Sequence, residues 1–157
     1  MINWQIRSFQ QLSLEAFFEV VHLRQAVFIV EQNCPYADLD SHDRQATHIL
    51  GWQAHQLIAY ARILPSRTKF DTISIGRVII AEAFRGQGHG KALMKIAIKS
   101  LEQAGQTPPI KLSAQSQWQR FYESFGFLPC SDHYLEDGIE HIDMIRHQIS
   151  SDSSVER

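Results

Sequence analysis

TISIGRVIIAEAFRGQGHGK, residues 72–91, joins the most β-branched segment of the chain to a turn that contains three glycines. The pattern predicts a strand over residues 72–80, followed by a turn and a helix. The apolar residues before Gly76 take one strand phase and those after it take the other (Ile73 and Ile75, then Val78 and Ile80). A β-bulge at Gly76 would reconcile the two phases, so we expect one there.

The glycine-rich turn, residues 85–90, opens a predicted helix that runs to about Gln103. Glycine permits positive φ angles and leaves the backbone bare to a ligand. The first N–H groups of a helix have no partner within it and carry about half a positive charge, so a diphosphate fits there. Arg85 and Lys91 would add cationic charge. The spacing matches neither a P-loop nor the dinucleotide fingerprint, and the plain alternative is a tight strand-to-helix turn.

The segments around this unit predict a mixed sheet with helices on both faces, which is the α/β (α+β) class. The other predicted strands are residues 3–8, 47–53, 57–64, 110–114, 127–130 and 139–149. The other predicted helices are residues 14–30, with Ser13 as N-cap, and residues 117–125, closed by Gly126. A polar, turn-rich stretch over residues 32–44 follows the first helix.

Length and composition fit one globular domain, residues 1–149, and we expect the tail over residues 150–157 to be disordered. Fifteen basic and seventeen acidic side chains leave a net charge of −2, which gives no electrostatic footprint for nucleic acid. The N-terminus lacks a signal-peptide pattern, and no apolar run reaches the length of a membrane span. Cys34 and Cys130 show no paired spacing, so we expect a cytoplasmic protein with free thiols; a bond between them stays open.

Two motifs resemble those of the GNAT superfamily of N-acetyltransferases. Arg85-x-x-Gly88-x-Gly90 is similar to the R/Q-x-x-G-x-G/A signature that cradles the pyrophosphate of acetyl-coenzyme A in that fold. Residues 115–127, QSQWQRFYESFGF, are similar to the family's N-x-x-A-x-x-F-Y-x-x-x-G-F segment, with Gln115 in place of Asn and Trp118 in place of a small residue. Residues 23–36 and 134–144 resemble the front and the end of the ElaA-like branch.

This resemblance implies the GNAT fold, a mixed, mostly antiparallel twisted sheet of about seven strands, with acetyl-coenzyme A as cosubstrate. It implies that the main-chain amides of Val78, Ile79 and Ile80 hold the pantetheine arm and polarise the thioester carbonyl, with Gln115 beside them. The expected diphosphate contacts are Arg85, Gly86, Gln87, Gly88, His89, Gly90 and Lys91.

Tyr122 takes the family's tyrosine position, where a phenol could protonate the leaving thiolate and also contact the cofactor; core packing is the structural alternative. The attacking amine is mostly protonated near neutral pH, so a base must accept its proton. Glu31, His48 and His141 are the candidates, and Glu31 also neighbours the expected substrate.

The candidate substrate contacts beyond Glu31 are Asp40, His48 and Arg77. Asp40 belongs to a loop with Asp38 and Asp43, whose carboxylates either attract a cationic substrate or are solvated surface charges. His48 is either a substrate contact or a structural hydrogen-bonding group. Arg77 either binds a substrate carboxylate or pairs with a neighbouring acid.

Three functions stay open at this point. The first is an N-acetyltransferase that transfers the acetyl group directly, in a ternary complex, to a small-molecule or peptide amine. It would act as a monomer or homodimer, with no metal, nucleic acid or membrane partner, since the histidines, cysteines and acidic loop lack the spacing of zinc or calcium sites. The second is a non-catalytic acyl-coenzyme A sensor, which needs neither Tyr122 nor a base. The third is an interaction domain with an incidental glycine turn.

Overall fold

One mixed sheet organises the protein, whose computed structural model describes residues 1–103, 105 and 108–148. In that part of the chain the sheet has eight strands in the order β1-β2-β3-β4-β5-β8-β6, and β7 also pairs with β8. Only β4 and β5 run parallel there. The strands are β1 Asn3–Ser8, β2 Thr47–Gln53, β3 Gln56–Leu64, β4 Ile73–Ile80, β5 Ile110–Gln115, β6 Leu128–Pro129, β7 Tyr134–Glu136 and β8 Ile139–Arg146. The predicted mixed, mostly antiparallel sheet is confirmed, with eight strands instead of about seven.

Within the described residues three α-helices connect these strands: α1 Leu14–Arg24, α2 His89–Gln103 and α3 Gln119–Glu123. The predicted first helix over residues 14–30 is helical, but it widens after α1 into a π-helical segment, Gln25–Glu31. The hydrogen bond from the Cys34 amide to the Ile29 carbonyl, five residues back, continues that wider spacing. Ser13 caps α1 as predicted, because its hydroxyl accepts from the Ala16 amide.

The apolar residues of the first helix are buried only in part. Leu14 and Phe18 are exposed, by 85% and 63%, whereas Val20, Leu23 and Val27 are buried. These three recur at i, i+3 and i+7, which is helical spacing, and they pack with Leu50 and Tyr60 on one face of the sheet.

A larger core lies on the opposite face, where α2 packs. Leu93, Met94 and Ala97 of α2 are fully buried with Ile49 and Ile58 of the sheet. Ile49 and its neighbour Leu50 belong to different clusters because successive side chains of a strand point to opposite faces. Helices therefore cover both faces, as predicted.

The bulge in β4 is found where the strand phases change. Tyr60 pairs with Ile79 and Arg62 pairs with Gly76, so two residues of β4, Arg77 and Val78, oppose one residue of β3. The larger core is contacted by Ile73 and Ile75 before the bulge and by Val78 and Ile80 after it. The bulge predicted at Gly76 is confirmed, and within it the residue with a left-handed backbone is Arg77, the next residue, at φ +50°.

The last strands differ from those predicted. Residues 127–130 contribute only Leu128–Pro129, since proline has no N–H to continue the ladder and this pair lies at the sheet edge. β7 was not expected; it forms a hairpin with β8 through Asp137 and Gly138, both at positive φ. The strand predicted to end at Ile149 ends at Arg146; Ile149 and the tail over residues 150–157 lie outside the described residues.

Both cysteines are free, Cys34 buried and Cys130 exposed. In residues 1–103, 105 and 108–148, no helix combines the length and the apolar character needed to span a bilayer.

Candidate active site

The parallel strands β4 and β5 separate soon after they meet. They pair only at Ile73–Ile110 and Ser74–Lys111, so beyond Ser74 the facing edge of β4 has no partner strand in the described structure. β5 remains paired with β8 along its whole length. A cleft of about 920 Å³ lies along this gap. It leaves main-chain groups after the bulge open to an extended ligand.

The cleft brings most of the candidate residues together. It is lined by Glu31, Arg77, Val78, Ile79, Ile80, Arg85, Gly86, Gly88, His89, Gly90, Lys91, Gln115, Tyr122 and His141. Gln87, Asp40 and His48 are not among its lining residues within the described chain.

The glycine turn has the geometry of an anion site. Gly86 and Gly88 take positive φ angles of 75° and 84°, and a Cβ at either would meet no atom within 4 Å. α2 begins at His89, so its first amides have no partner inside the helix and face outward from its N-terminus. The Nε2 atom of His89 is buried and has no hydrogen-bond partner among the described residues. Bare backbone, free amides and an unpaired imidazole nitrogen all suit a diphosphate.

Arg85, the first residue of the signature, is already engaged. Its Nη1 and Nη2 atoms donate to the two carboxylate oxygens of Glu31 at 2.5 and 2.8 Å, and Nε donates to the Ile80 carbonyl at 3.0 Å. The hydrogen bond from Arg85, outweighing burial, lowers the pKa of Glu31 below its ordinary value. A carboxylate that is harder to protonate is a weaker base, which argues against Glu31 as the proton acceptor.

Tyr122 lies at the cleft with its ring packed and its hydroxyl unpaired. Its ring makes edge contacts with Phe121 and Phe127, at centroid distances of 5.1 and 6.3 Å. In the described part of the chain, no group hydrogen-bonds with its hydroxyl. Burial raises the pKa of Tyr122 above its ordinary value, so the phenol keeps its proton at neutral pH.

His141 lies across from this region, in register with Gln115 of β5. Its Nδ1 atom is 2.7 Å from the Ile139 carbonyl, which can only accept, so Nδ1 bears the hydrogen and Nε2 has the free lone pair in the neutral ring. Nε2 lies 3.8 Å from the Glu136 carboxylate. The ring stacks on Tyr134, 6.0 Å between centroids. A fixed imidazole with one free lone pair can accept a proton.

The carboxylates of the acidic loop, Asp38, Asp40 and Asp43, are paired with arginines of the protein. They are therefore neither solvated surface charges nor free to attract a cationic substrate, which corrects both expectations. Arg24, fully buried, donates to Asp38 at 2.8 Å and to Asp43 at 2.6 Å. Arg62 binds Asp43 at 2.9 Å. Arg62 also binds Asp40, and Arg77 pairs with Asp38. Three arginines thus balance three aspartates. Removal of one partner from such a buried set costs about 3–5 kcal/mol.

Two candidate substrate contacts therefore have other partners. Asp40 receives two hydrogen bonds from Arg62, at 2.7 and 3.0 Å. His48 is only 1% exposed, with Nδ1 2.7 Å from the Tyr60 hydroxyl and Nε2 3.0 Å from the Asp43 carbonyl. Burial lowers the pKa of His48. Both of its nitrogens are occupied, so His48 is a structural residue in this arrangement.

Several cleft residues were not singled out from the sequence. They are Tyr36, Lys69, Phe70, Ser113 and Glu136. Tyr36 and Glu136 fall inside the two segments that resemble the ElaA-like branch, so those segments held a usable signal. Within the described residues, no group of three or more His, Cys, Asp or Glu side chains is arranged to hold a metal ion.

Comparison with known proteins identifies the relatives of this chain. The family model described as "Acetyltransferase (GNAT) domain" matches residues 11–147. Protein ElaA of Escherichia coli strain K12 is 44% identical over 153 residues, which covers 96% of this chain and all of that protein.

Solved structures agree with this. The crystal structure of Escherichia coli ElaA superposes with a TM-score of 0.88 and covers 94% of this chain and 100% of its own. An acyl-CoA N-acyltransferase from Pseudomonas aeruginosa, 38% identical, has a TM-score of 0.88 and covers 93% and 99% of the two chains. A GNAT acetyltransferase from Elizabethkingia anophelis with acetyl-CoA bound, 16% identical over 94% and 98% of the chains, shares the fold at a TM-score of 0.60.

Proposed function

Because the chain belongs to the acetyltransferase (GNAT) family, we propose that it transfers the acetyl group of acetyl-coenzyme A directly to a primary amine in a ternary complex. Acyl transfer from an acyl-coenzyme A is the general chemistry of the family. The acetyl group, the amine acceptor and the residue roles below are parts of the proposal.

The separation of β4 from β5 is the observation that supports this proposal most. Past Ser74 the edge of β4 lacks a partner strand in the described chain, and the bulge lies on that open stretch. Because the Ala81 amide donates to the Ile58 carbonyl of β3 and amide directions alternate along a strand, the Ile80 amide points to the open edge and the Ile79 amide points to β3. Among Val78, Ile79 and Ile80, the amides that point away from β3 can then pair with an extended pantetheine arm as an added strand would. The same amides can donate to a thioester oxygen as negative charge develops on it.

The glycine turn at the start of α2 would hold the diphosphate at the other end of the arm. The amides of His89, Gly90 and Lys91 are unpaired within the helix, and the helix dipole favours negative charge there. Hydrogen bonds to a charged group contribute about 1.5–3 kcal/mol each. The side chains of Arg85 and Lys91 add positive charge beside the turn.

Tyr122 and His141 would move the protons. The Nε2 lone pair of His141 accepts a proton from the incoming ammonium or amine, directly or through water. The Tyr122 hydroxyl, which is protonated and free of hydrogen bonds to described residues, donates to the departing thiolate. We assign the base to His141 over Glu31 because Glu31 is paired with Arg85.

Calorimetry with coenzyme A, together with thiol release from acetyl-coenzyme A across a panel of amines, tests this function. We expect uptake of coenzyme A and amine-dependent release of thiol. The non-catalytic sensor would be favoured if the protein takes up coenzyme A but releases no thiol from acetyl-coenzyme A with any amine tested. The amines are amino acids, peptides, polyamines and lysine side chains. A folded protein that takes up no coenzyme A at millimolar concentration would contradict both.

A further inference from the structure

The ion pairs of three arginines with three aspartates form a buried charge network that contacts both strands at the bulge of β4. Its members are Arg24, Arg62, Arg77, Asp38, Asp40 and Asp43. Arg62 lies on β3 opposite Gly76, and Arg77 follows Gly76 on β4. We propose that this network holds the bulge in its open form for the acyl donor, with Arg77 as a positioning residue. The inference rests on the proposed function, because an open bulge serves catalysis only when a thioester lies against it.

The backbone of Arg77 needs such support. Its φ of +50° is left-handed, a conformation that side-chain-bearing residues adopt at a cost and glycine adopts freely. Gly76 is the adjacent residue, yet it does not take the positive φ. The bulge therefore places its unfavourable backbone angle on the residue whose side chain has the anchoring contacts.

The Arg77 side chain contacts an aspartate and two aromatic rings. Its Nε atom forms an ion pair with the Asp38 carboxylate at 2.8 Å, and Nη2 donates to the Asp38 carbonyl at 3.0 Å. The guanidinium carbon lies 5.9 Å from the ring centroid of Phe28 and 5.7 Å from that of Tyr36. A planar guanidinium suits this position because it can pair with a carboxylate, donate to a carbonyl and lie over aromatic rings at the same time.

Asp38 is itself immobilised. Arg24 donates from Nε to its carboxylate at 2.8 Å and from Nη2 to its carbonyl at 2.9 Å. Arg24 is fully buried and also binds Asp43, which binds Arg62 on β3. The chain of contacts thus returns to the strand opposite the bulge, and the register shift between β3 and β4 is fixed from both strands.

The consequence concerns the amides that follow Arg77. Their direction depends on the backbone angles at the bulge, since β5 does not pair with this part of β4. A small error in the position of an oxyanion donor is costly to catalysis. The contacts of Arg77 do not touch the glycine turn that would hold the diphosphate, so their loss should lower turnover far more than cofactor affinity, to which these amides contribute only the pantetheine contacts.

Arg77→Ala tests the inference. We expect kcat to fall about 10²-fold while the Kd for coenzyme A rises by a much smaller factor, because the diphosphate contacts are kept. We expect the infrared band of the bound acetyl thioester carbonyl to lie at lower frequency in the native protein than in water, and to move back toward its position in water in Arg77→Ala. Arg77→Gly is the matched variant, because glycine adopts φ +50° without a side chain; it should recover part of the kcat that the alanine variant loses. Glu102→Gln, which breaks the remote Arg146–Glu102 ion pair, should behave as the native protein.

Hydrogen exchange of residues 75–80 in the ligand-free protein gives a second measurement that does not need activity. We expect faster exchange in Arg77→Ala than in the native protein or in Glu102→Gln. If the alanine variant does not fold, Arg77→Lys, which keeps the charge but cannot span both acceptors, replaces it.

Native kcat, carbonyl band and exchange in a folded Arg77 variant would overturn the inference while leaving the proposed function intact. A native protein that neither binds nor uses acetyl-coenzyme A would overturn the proposed function and, with it, the catalytic part of this inference. The exchange rates would still decide whether the network fixes the bulge.

Discussion

Tyr122 is a residue whose hydroxyl can be removed with little structural effect. Its ring packs against Phe121 and Phe127, and its hydroxyl has no hydrogen bond in the described part of the chain. Tyr122→Phe should therefore lower kcat by roughly 10²–10⁴-fold while the Kd for coenzyme A and the unfolding midpoint stay native. Steady-state kinetics, calorimetry and thermal denaturation measure the three quantities. Native turnover in the folded variant would exclude the acid role.

His141 allows a test by chemical rescue. His141→Ala should lower kcat by about 10²–10⁴-fold and leave a space beside Tyr134 and Glu136. Added imidazole should restore part of the activity because it can occupy that space and accept the proton. His133→Ala, at an exposed position, is the matched control and should neither lose activity nor respond to imidazole. A His141→Ala enzyme with full activity would place the base elsewhere.

The residues of the glycine turn could be recognised from the sequence because their pattern lies within one short segment. Six residues, Arg85–Gly90, contain the whole turn, and the strand-phase change located the bulge to within one residue. The charge network could not be recognised in this way, since its arginines lie 14 to 39 positions from the aspartates to which they donate. One signal was available: Arg62 stands inside the apolar strand LIAYARIL, where an unpaired charge would be costly.

At the scale of elements, the last residue of the π-helical segment contacts the first residue of the glycine turn. Glu31 ends that segment and occupies two donors of Arg85, which an incoming diphosphate would also use. Glu31→Gln should weaken this contact and leave Arg85 freer to bind a diphosphate. We expect the variant to bind coenzyme A about 2–5-fold more tightly, because an exposed ion pair contributes at most about 1 kcal/mol. Its kcat should stay near the native value.

Calorimetry and kinetics on Glu31→Gln also decide between two roles for this carboxylate. A large fall in kcat with unchanged coenzyme A affinity would restore Glu31 as the base. Glu15→Gln, which removes an exposed carboxylate from the first turn of α1, is the control and should change neither quantity.

The elements that sequence reasoning placed well are those with strong periodicity. α2 and the β2–β3 hairpin fall within a few residues of their predicted bounds. The π-helical segment was missed because its hydrogen bonds span five residues and those of an α-helix span four, a difference that hardly changes the spacing of apolar residues over so short a segment. β7 was missed because only three residues form it, and its partner β8 supplies the pairing.

Over the whole molecule, stability should fall in two stages as the pH decreases. Burial lowers the pKa of His48 below its ordinary value of 6.5, so the unfolded chain binds a proton first and stability is lost below about pH 6.5. Burial alone would raise the pKa of Asp40, but Arg62 and Arg77 outweigh it and lower that pKa to about 2. Asp40 therefore stabilises the fold above its ordinary pKa of 3.8, and this contribution is lost as the pH falls through the lowered pKa of about 2.

Urea unfolding from pH 8 to pH 3 measures the first stage and the start of the second. His48→Gln, which has a neutral side chain at every pH, should lose the stage below pH 6.5 and keep the acidic one. His133→Gln should retain both, because His133 is exposed. A flat stability profile between pH 6.5 and 5 in the native protein would contradict the role assigned to His48.

The open space around Gly86 and Gly88 has a consequence for how such sequences diverge. Since a methyl group at either position would collide with no atom of the protein, the fold itself requires backbone handedness there, and only a bound diphosphate requires small volume. Asparagine, which tolerates that handedness better than other side chains, should therefore cost less folding stability than the smaller alanine. Divergence limited by stability alone would accept asparagine at these two sites, whereas divergence limited by cofactor binding would keep glycine.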